Sequence, residues 1–455
     1  MAERQTSAMR NLAFVGPSGA GKTALAEALS RAGTGRQTVT EAPLEVDPEE
    51  REFGHSLFPK MHRFDAQGVH INLIDTPGVA DLVGPGIACL AAVETVVVVI
   101  AAHRGIEPVA RQMMEFARVR KQPRVIVING IDRPHLDLKG LLEELRSTFG
   151  PECLPINLPA QYGRSVEDCL ENGLGTSDLG SVAEAHRRIL DQVVELDETL
   201  MERYLAGTEP DFAALHATFE RALDEAHVIP ICFTSAREGV GVRELLAVIA
   251  RQFPSPLEGN PRPFVSGKPG AETAFPYVND PGRPLLAHVF RLMNDPILGT
   301  MALFRVHQGT AHDHRDVFLG ESKKSVRVGH LMEINGRHHH DVHSVVAGDI
   351  GAVAKIEGLH IGHVLHEDHA LDTVHLVPPP FPEPSYNLIF APKSRKDEGK
   401  LAHLLQQLID EDPTLQLVRG GESPLVRGLS ELHLRVVADR IRHRGLVIET
   451  RVPTA

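Results

Sequence analysis

The sequence predicts a multidomain α/β chain: a phosphate-loop nucleotide-binding domain with an inserted helical subdomain, then a β-barrel domain, then a ferredoxin-like split-βαβ domain. Three observations carry this. Apolar runs alternate with helical stretches through the first half of the 455 residues, short β-rich runs between turn signals follow, and the last part reads strand, helix, strand, strand, helix, strand. A chain of this length exceeds what one hydrophobic core serves, so about two to four domains are expected.

The first domain is assigned to residues 1–258. Its expected strands are Leu12–Val15, Val69–Ile74, Thr95–Ala102, Arg124–Ile128 and Val228–Phe233, the pattern of a parallel sheet wrapped by helices. Four of the five end at polar or glycine-rich residues, and open α/β sheets bind ligands at the carboxyl ends of their strands. From about 150 to 227 the pattern is interrupted, first by loop-like Pro155-Ile156-Asn157-Leu158-Pro159, then by helical sequence through Ala183–Leu205 and Phe212–Ala226. This reads as the inserted subdomain, with Glu195, Asp197, Glu198, Glu202 and Arg203 on solvent faces.

Prolines 254, 256, 261 and 263 mark the next boundary. The β-barrel is assigned to 264–380, with strands Leu286–Leu292, Met301–His307, Val317–Phe318, Ser325–Val328, Val342–Val346 and Ile350–Ile356. Prolines 378–380, 382 and 384 precede the third domain, 384–455, which reads strand Tyr386–Phe390, helix Gly399–Ile409, strands Leu415–Val418 and Pro424–Arg427, helix Glu431–Arg444 and strand Leu446–Val452. Leu401, Leu404, Leu405, Leu408 and Ile409 share one face of the first helix, and Ser430 is placed to cap the second.

Composition excludes several classes of function. No apolar run approaches the roughly 20 residues that cross a membrane, and the N-terminus lacks a signal peptide's apolar core. A cytoplasmic, monomeric protein without membrane contact is expected. The formal charge of −13 argues against DNA and against broad nucleic-acid binding, although Lys323, Lys324, Arg327, Lys393, Arg395 and Lys396 offer local charge to RNA phosphates. The four cysteines, at 89, 153, 169 and 232, show no metal or redox spacing and read as buried thiols. His338, His339, His340 and His343 cluster near Asn335-Gly336 and read as a solvated turn, since adjacent residues point different ways.

The chemistry lies in four short segments. Gly16-Pro17-Ser18-Gly19-Ala20-Gly21-Lys22-Thr23 follows the first strand and leads into helix-like Ala24–Leu29. Gly16 and Gly21 let backbone N–H groups turn toward phosphate oxygens, Lys22 adds a charge at the β/γ-phosphates, and the Thr23 hydroxyl suits Mg²⁺. The loop specifies a nucleoside triphosphate without choosing the base. After the second strand comes Asp75-Thr76-Pro77-Gly78, in which Asp75 can hold Mg²⁺ through water and the Gly78 N–H can reach a γ-phosphate. After the fourth comes Asn129-Gly130-Ile131-Asp132, an amide and a carboxylate at the place of a base edge. A carboxylate accepts from the N1–H and N2–H₂ of guanine, whereas adenine has no donor at N1, so Asp132 is the expected guanine selector. Ser235-Ala236, after the fifth strand, is expected to offer backbone N–H groups to the guanine O6.

In this order (GxxxxGKT, DTPG, NxxD and SA) the segments specify GTP, and the chain resembles the translational GTPases, specifically elongation factor G. The resemblance covers nearly the whole chain. Leu292–Val306 (LMNDPILGTMALFRV) resembles the start of that family's barrel, and Ala347-Gly348-Asp349-Ile350 its AGDI turn. Glu411-Asp412-Pro413 and Gly428-Leu429-Ser430-Glu431-Leu432-His433-Leu434 resemble the third domain's EDP and GMGELHL segments. Arg51-Glu52-Phe53-Gly54-His55-Ser56 occupies the place of the first switch, where the family's threonine meets Mg²⁺; Ser56 keeps the hydroxyl. The resemblance implies GTP and GDP as nucleotides, Mg²⁺ held by Thr23, Ser56 and Asp75, and the ribosome, its RNA and proteins, as partner.

Four departures bear on mechanism. The histidine that positions the attacking water in the family's DTPGH segment is Val79 here, and an isopropyl group neither orients water nor accepts its proton. The family's phosphate-loop aspartate is Gly19, and the NKxD lysine is Gly130. The chain stops at Val452-Pro453-Thr454-Ala455, whereas elongation factor G continues into two further domains, so a natural short relative and an incomplete copy both stay open. The expected function is GTP·Mg²⁺ binding with slow hydrolysis in connection with ribosomal elongation, and no residue is assigned as catalytic. The alternatives are a GTP-responsive binding or regulatory protein with little or no hydrolysis, and a truncated paralogue.

Overall fold

The computed structural model describes residues 4–35, 48–208, 210, 212–260, 262–295, 298–322, 325–356, 358–418 and 423–453. In chain order the elements begin β1 (Met9–Val15), α1 (Lys22–Thr34), α2 (Pro48–Phe53), β2 (Lys60–Ala66), β3 (Val69–Asp75), α3 (Gly84–Leu90), β4 (Thr95–Ala101), α4 (Pro108–Val119) and β5 (Arg124–Asn129). They continue with α5 (Leu138–Phe149), β6 (Cys153–Pro155), β7 (Asn157–Ala160), β8 (Ser165–Asp168), α6 (Val182–Val194), α7 (Glu198–Leu205), α8 (Phe212–Asp224), β9 (Ile229–Thr234) and α9 (Val242–Gln252). The chain divides into two compact bodies, one built from segments 1–42, 60–78 and 93–260, the other from 43–59, 79–92 and 261–455.

The first body is a seven-stranded sheet of order β2-β3-β1-β4-β5-β9-β6, parallel except for β2. Every residue of β4, Thr-Val-Val-Val-Val-Ile-Ala, is buried, as a strand covered on both faces requires. On α4, Val109, Ala110, Met113, Met114 and Ala117 recur at helical spacing and are buried. Register matters most for function. Asp75 pairs with Phe14, Ala101 with Asn129, and Asn129 with Thr234, so the carboxyl ends of β1, β3, β4, β5 and β9 finish along one edge.

All five expected strands are present, and the sheet holds two more. β2 escapes an apolar reading because Lys60, His62, Arg63 and Asp65 interrupt it, yet Met61 through Phe64 are buried by pairing with β3 along seven residues. The segment Pro155–Pro159, expected as a loop, instead ends β6 and forms most of β7. Residues 153–155 extend the main sheet beside β9, and Pro159 lies in the two-stranded β7–β8 hairpin, where a missing N–H is tolerated. Helices α6 and α7 open at Ser181 and Asp197, whose side chains accept from Glu184 N and Leu200 N.

The second body continues with β10 (Phe264–Ser266), β11 (Thr273–Ala274), β12 (Leu286–Asp295), β13 (Gly299–Gln308), β14 (Thr310–His312), β15 (Asp316–Leu319), β16 (Ser325–Arg327) and β17 (Leu331–Asn335). Then come β18 (His338–Asp341), β19 (Ser344–Val346), β20 (Ile350–Ala354), β21 (Val364–His366), β22 (Val374–Leu376), β23 (Tyr386–Pro392), α10 (Glu398–Glu411), β24 (Gln416–Val418), β25 (Leu425–Gly428), α11 (Glu431–His443) and β26 (Ile448–Arg451). Eight strands form one antiparallel sheet in the order β16-β15-β21-β12-β13-β20-β17-β18. Val317 of β15 and Leu331 of β17, near opposite edges, share one apolar cluster with Val289, Phe304 and Val353 of the central strands. The sheet therefore curls about a common core, and register shifts in β12 at Leu286/Ala287 and Val289/Arg291 supply bends.

The histidines 338–340, expected on a solvated turn, lie on strand β18 in a hairpin with β17. They are exposed at the sheet edge, with His340 Nε2 3.0 Å from Glu333 Oε2. Among the described residues no group of three or more His, Cys, Asp or Glu could hold a metal ion, and no helix is long and apolar enough to cross a membrane. All four cysteines are buried and unpaired, and burial pushes each thiol up to about 12. Lys323 and Lys324 lie outside the described residues; Arg327, Lys393, Arg395 and Lys396 are exposed.

The final sheet has the order β24-β25-β23-β26. Leu401, Leu404, Leu405 and Leu408 of α10 join Phe390, Val426, Leu434 and Ile441 in its core, while Ile409 is only partly buried. The Ser430 hydroxyl accepts from His433 N at 3.2 Å, capping α11. Glu411 joins distant segments: its two oxygens accept from Asn294 Nδ2 and Arg440 Nη2, each at 2.5 Å, and the neighbouring Asp412 is 3.1 Å from His433 Nε2. Leu405→Ala is expected to cost about 2–5 kcal/mol through a lost apolar side chain and its cavity, and Ser430→Ala about 1 kcal/mol through the lost cap. Urea denaturation followed by circular dichroism should show the larger midpoint shift for Leu405→Ala.

Candidate functional site

At the carboxyl edge of the first body, Gly16, Pro17, Ser18, Gly19, Ala20 and Gly21 connect β1 to α1, whose first residues are Lys22 and Thr23. The first-turn N–H groups of a helix such as α1 lack intrahelical partners, the arrangement that attracts anions. The buried Lys22 ammonium donates to Gly16 O at 2.8 Å and Pro17 O at 2.9 Å. Loss of water around it lowers its pKa to about 8, with Asp75 and Glu107 opposing the shift.

The end of β3 closes on this loop. Thr23 Oγ1 donates to Asp75 Oδ2 at 2.5 Å, so the two groups expected near a cation already touch. Thr76 is pinned to β1, its N–H and hydroxyl both donating to Phe14 O, at 3.1 and 2.7 Å. Pro77 and Gly78 are buried, and Ser18 N donates to Gly78 O at 2.9 Å. A Cβ at Gly78 would overlap Lys22 Nζ and Ser18 N, so only glycine permits this approach.

Asn129, the last residue of β5, does something other than face a base. Its Nδ2 donates to Ala20 O at 3.0 Å, and its Oδ1 accepts from Ala236 N at 3.0 Å and from Thr234 Oγ1 at 3.4 Å. Gly130 N and Ile131 N both donate to Thr234 O, which turns the chain so that Asp132 stands half-buried beyond the sheet edge. The Asp132 carboxylate has no hydrogen-bonding or ionic partner among the described residues. Ser235 N donates to Val240 O at 2.9 Å, so the expected donors at Ser235 and Ala236 are both taken up by protein acceptors.

The structure thus brings the phosphate loop, Asp75–Gly78, Asn129–Asp132 and Ser235-Ala236 to one edge. Ser56 belongs to the second body, in the turn after α2, where the Glu50 carboxylate accepts from Leu57 N and Phe58 N. Val79 belongs to that body as well. It is partly buried against a cluster of Leu57, Leu82 and Val436, with Phe53, Phe58 and Leu432 alongside. Arg435 and Arg440 of α11 stand over the rings of Phe53 and Phe58, at 5.8 and 4.5 Å from the ring centroids.

Sequence reasoning passed over Arg104. It follows β4, the longest apolar run, and its Nη1 donates to Ser18 O at 2.7 Å while Nη2 donates to Glu107 Oε1 at 2.6 Å. Its place at a strand's carboxyl end was the available signal.

Three families match successive parts of the chain: the elongation factor Tu GTP binding domain over residues 7–255, elongation factor G domain 2 over 284–368, and elongation factor G domain III over 381–451. Elongation factor G-like proteins from two Mycobacterium tuberculosis strains, CDC 1551 / Oshkosh and ATCC 25618 / H37Rv, are each 33% identical over 492 aligned positions, covering 98% of this chain and 67% of theirs. A crystal structure of a Thermus thermophilus protein superimposes with a TM-score of 0.82 at 29% identity, over 98% of this chain and 68% of that one. With a nucleotide-binding edge preceding two matched elongation factor G domains, the chain belongs to the elongation factor G family of translational GTPases.

Proposed function

We propose that this protein binds GTP at the carboxyl edge of its parallel sheet, hydrolyses it slowly, and works with the ribosome. The observation that carries the reading is the meeting of four strand-end loops along one edge: the buried Lys22 donates within the phosphate loop, the end of β3 closes on that loop, and Asn129 bonds both it and the loop after β9. Loop amides and Lys22 bind the phosphates, and Asp132 accepts from the guanine N1–H and N2–H₂. Thr23 and Asp75 would supply hard oxygen donors of the kind Mg²⁺ takes alongside phosphate oxygens, and the ion would neutralise phosphate charge there. We read helices α6–α8 as an inserted helical subdomain, the curled sheet as a β-barrel, and the β24-β25-β23-β26 sheet with its two helices as ferredoxin-like.

A second reading, a GTP-responsive binding protein with little hydrolysis, is favoured by Val79. That side chain serves an apolar cluster with first-switch residues and α11, so the position works in packing where the family's histidine would handle water. Single-turnover hydrolysis with and without ribosomes separates the two readings. Slow wild-type turnover that ribosomes fail to stimulate, raised by Val79→His, fits the second; a wild-type rate typical of an active translational GTPase would mean that another group positions the water.

Base selection rests on Asp132. Asp132→Asn should weaken GTP by about tenfold or more and gain binding of xanthosine triphosphate, whose C2 oxygen accepts from the new amide; competition with labelled GTP measures both. Binding should also respond to alkali. Lys22 titrates at about 8 in the nucleotide-free protein, below its ordinary 10.5. Phosphates favour its charged form, so binding takes up a proton and weakens as pH rises past about 8. The nucleotide-free fold gains stability over the interval from about 8 to 10.5, because there the unfolded chain holds the proton that the folded one has released. Nucleotide titrations on either side of pH 8 check the first, and nucleotide-free melting curves the second.

A further inference from the structure

The bonds from Arg104 to Ser18 and Glu107 carry an inference that rests on the GTP-site reading and deepens it. We propose that Arg104 is a positioning residue of the nucleotide site, fixing the orientation of one phosphate-loop peptide from the end of β4.

The Ser18 carbonyl and the Gly19 N–H belong to the same planar trans peptide, so they point in opposite directions. With Arg104 Nη1 bonded to Ser18 O at 2.7 Å, the Gly19 N–H is held aimed to the other side. The same guanidinium grips Glu107 Oε1 through Nη2 at 2.6 Å, so two prongs of one rigid fork join the loop to the N-cap residue of α4. Glu107 also bears electrostatically on Lys22, which links the pair to the loop's buried charge.

Gly19 suits this arrangement in space and in backbone conformation. A Cβ at Gly19 would come within 2.8 Å of Arg104 Nη1, and the residue has φ +80°, a conformation that side-chain-bearing residues rarely adopt. A cation on the carbonyl also polarises the peptide and strengthens its N–H as a donor to phosphate.

The test compares wild type, Arg104→Gln and Arg104→Lys for binding of fluorescent GTP and GDP in Mg²⁺, alongside nucleotide-free melting temperature. Arg104→Gln is expected to weaken both nucleotides by about tenfold, the loss of one charge-assisted hydrogen bond, with an unchanged melting temperature, since 42% of the Arg104 side chain is exposed. Arg104→Lys keeps the charge without the fork and recovers only part of the loss. Affinity within about twofold of wild type for Arg104→Gln, full recovery by Arg104→Lys, or a loss matched by a lowered nucleotide-free melting temperature overturns the proposal. Failure of the wild type itself to bind either nucleotide would instead remove the GTP-site reading on which it stands.

Discussion

A primary amide offers a donor and an acceptor on one planar group, and at the end of β5 Asn129 uses both to tie loops together. Its donor holds Ala20 in the phosphate loop and its acceptor holds Ala236 in the loop after β9. Those loops can meet at Asn129 because parallel pairing sets Asn129 opposite both Ala101 and Thr234. The geometry of the edge therefore depends on one buried side chain at the centre of a sheet held in register by its apolar strands. An unpaired amide there would leave buried polar atoms on three loops at once, a cost of about 1–3 kcal/mol for each.

The same edge carries opposed charges at close range. Lys22 is buried and satisfied by two carbonyls, Thr23 touches Asp75, and Gly78 closes over Ser18. Each of these polar groups thus has a protein partner at the edge. Arg104 belongs to this network of partners, reaching the loop from outside and gripping the carbonyl face of the peptide at Ser18.

In the second body, residues near positions 53–58 and 79–82 are held by apolar packing. Val79, Leu82, Leu57 and Phe58 join residues of α11, and two arginines of that helix lie over aromatic rings. A valine at position 79 suits this cluster as a histidine would not, because an imidazole's ring nitrogens need partners. Glu411 adds a polar tie, receiving Asn294 from β12 and Arg440 from α11. The Val79 side chain thus serves packing in this body.

The places of five strands along the chain and the family were legible in the sequence because glycines, loop lysine and apolar runs are local signals: Gly16–Thr23, Asp75–Gly78 and Asn129–Asp132 each follow a run that is a strand. Position along one edge could be inferred from the rule for open sheets. Among the strands that were missed, β2 and the strand of Pro159 lie in local hairpins hidden by charged residues or proline, and short β10, β11, β14, β17, β18, β21 and β22 were passed over in the second body; β6 depends on pairing with a neighbour distant in sequence, β9, which no local pattern records. So do the second role of Asn129, the capture of the Ser235 and Ala236 amides, and the approach of Arg104 to Gly19. The sequence by itself determined which chemical groups the chain carries to the sheet edge, since residue type and local periodicity are written in one dimension. Only the tertiary structure decided which of those groups face a ligand and which face each other, because hydrogen-bond partners are chosen by register and distance in space.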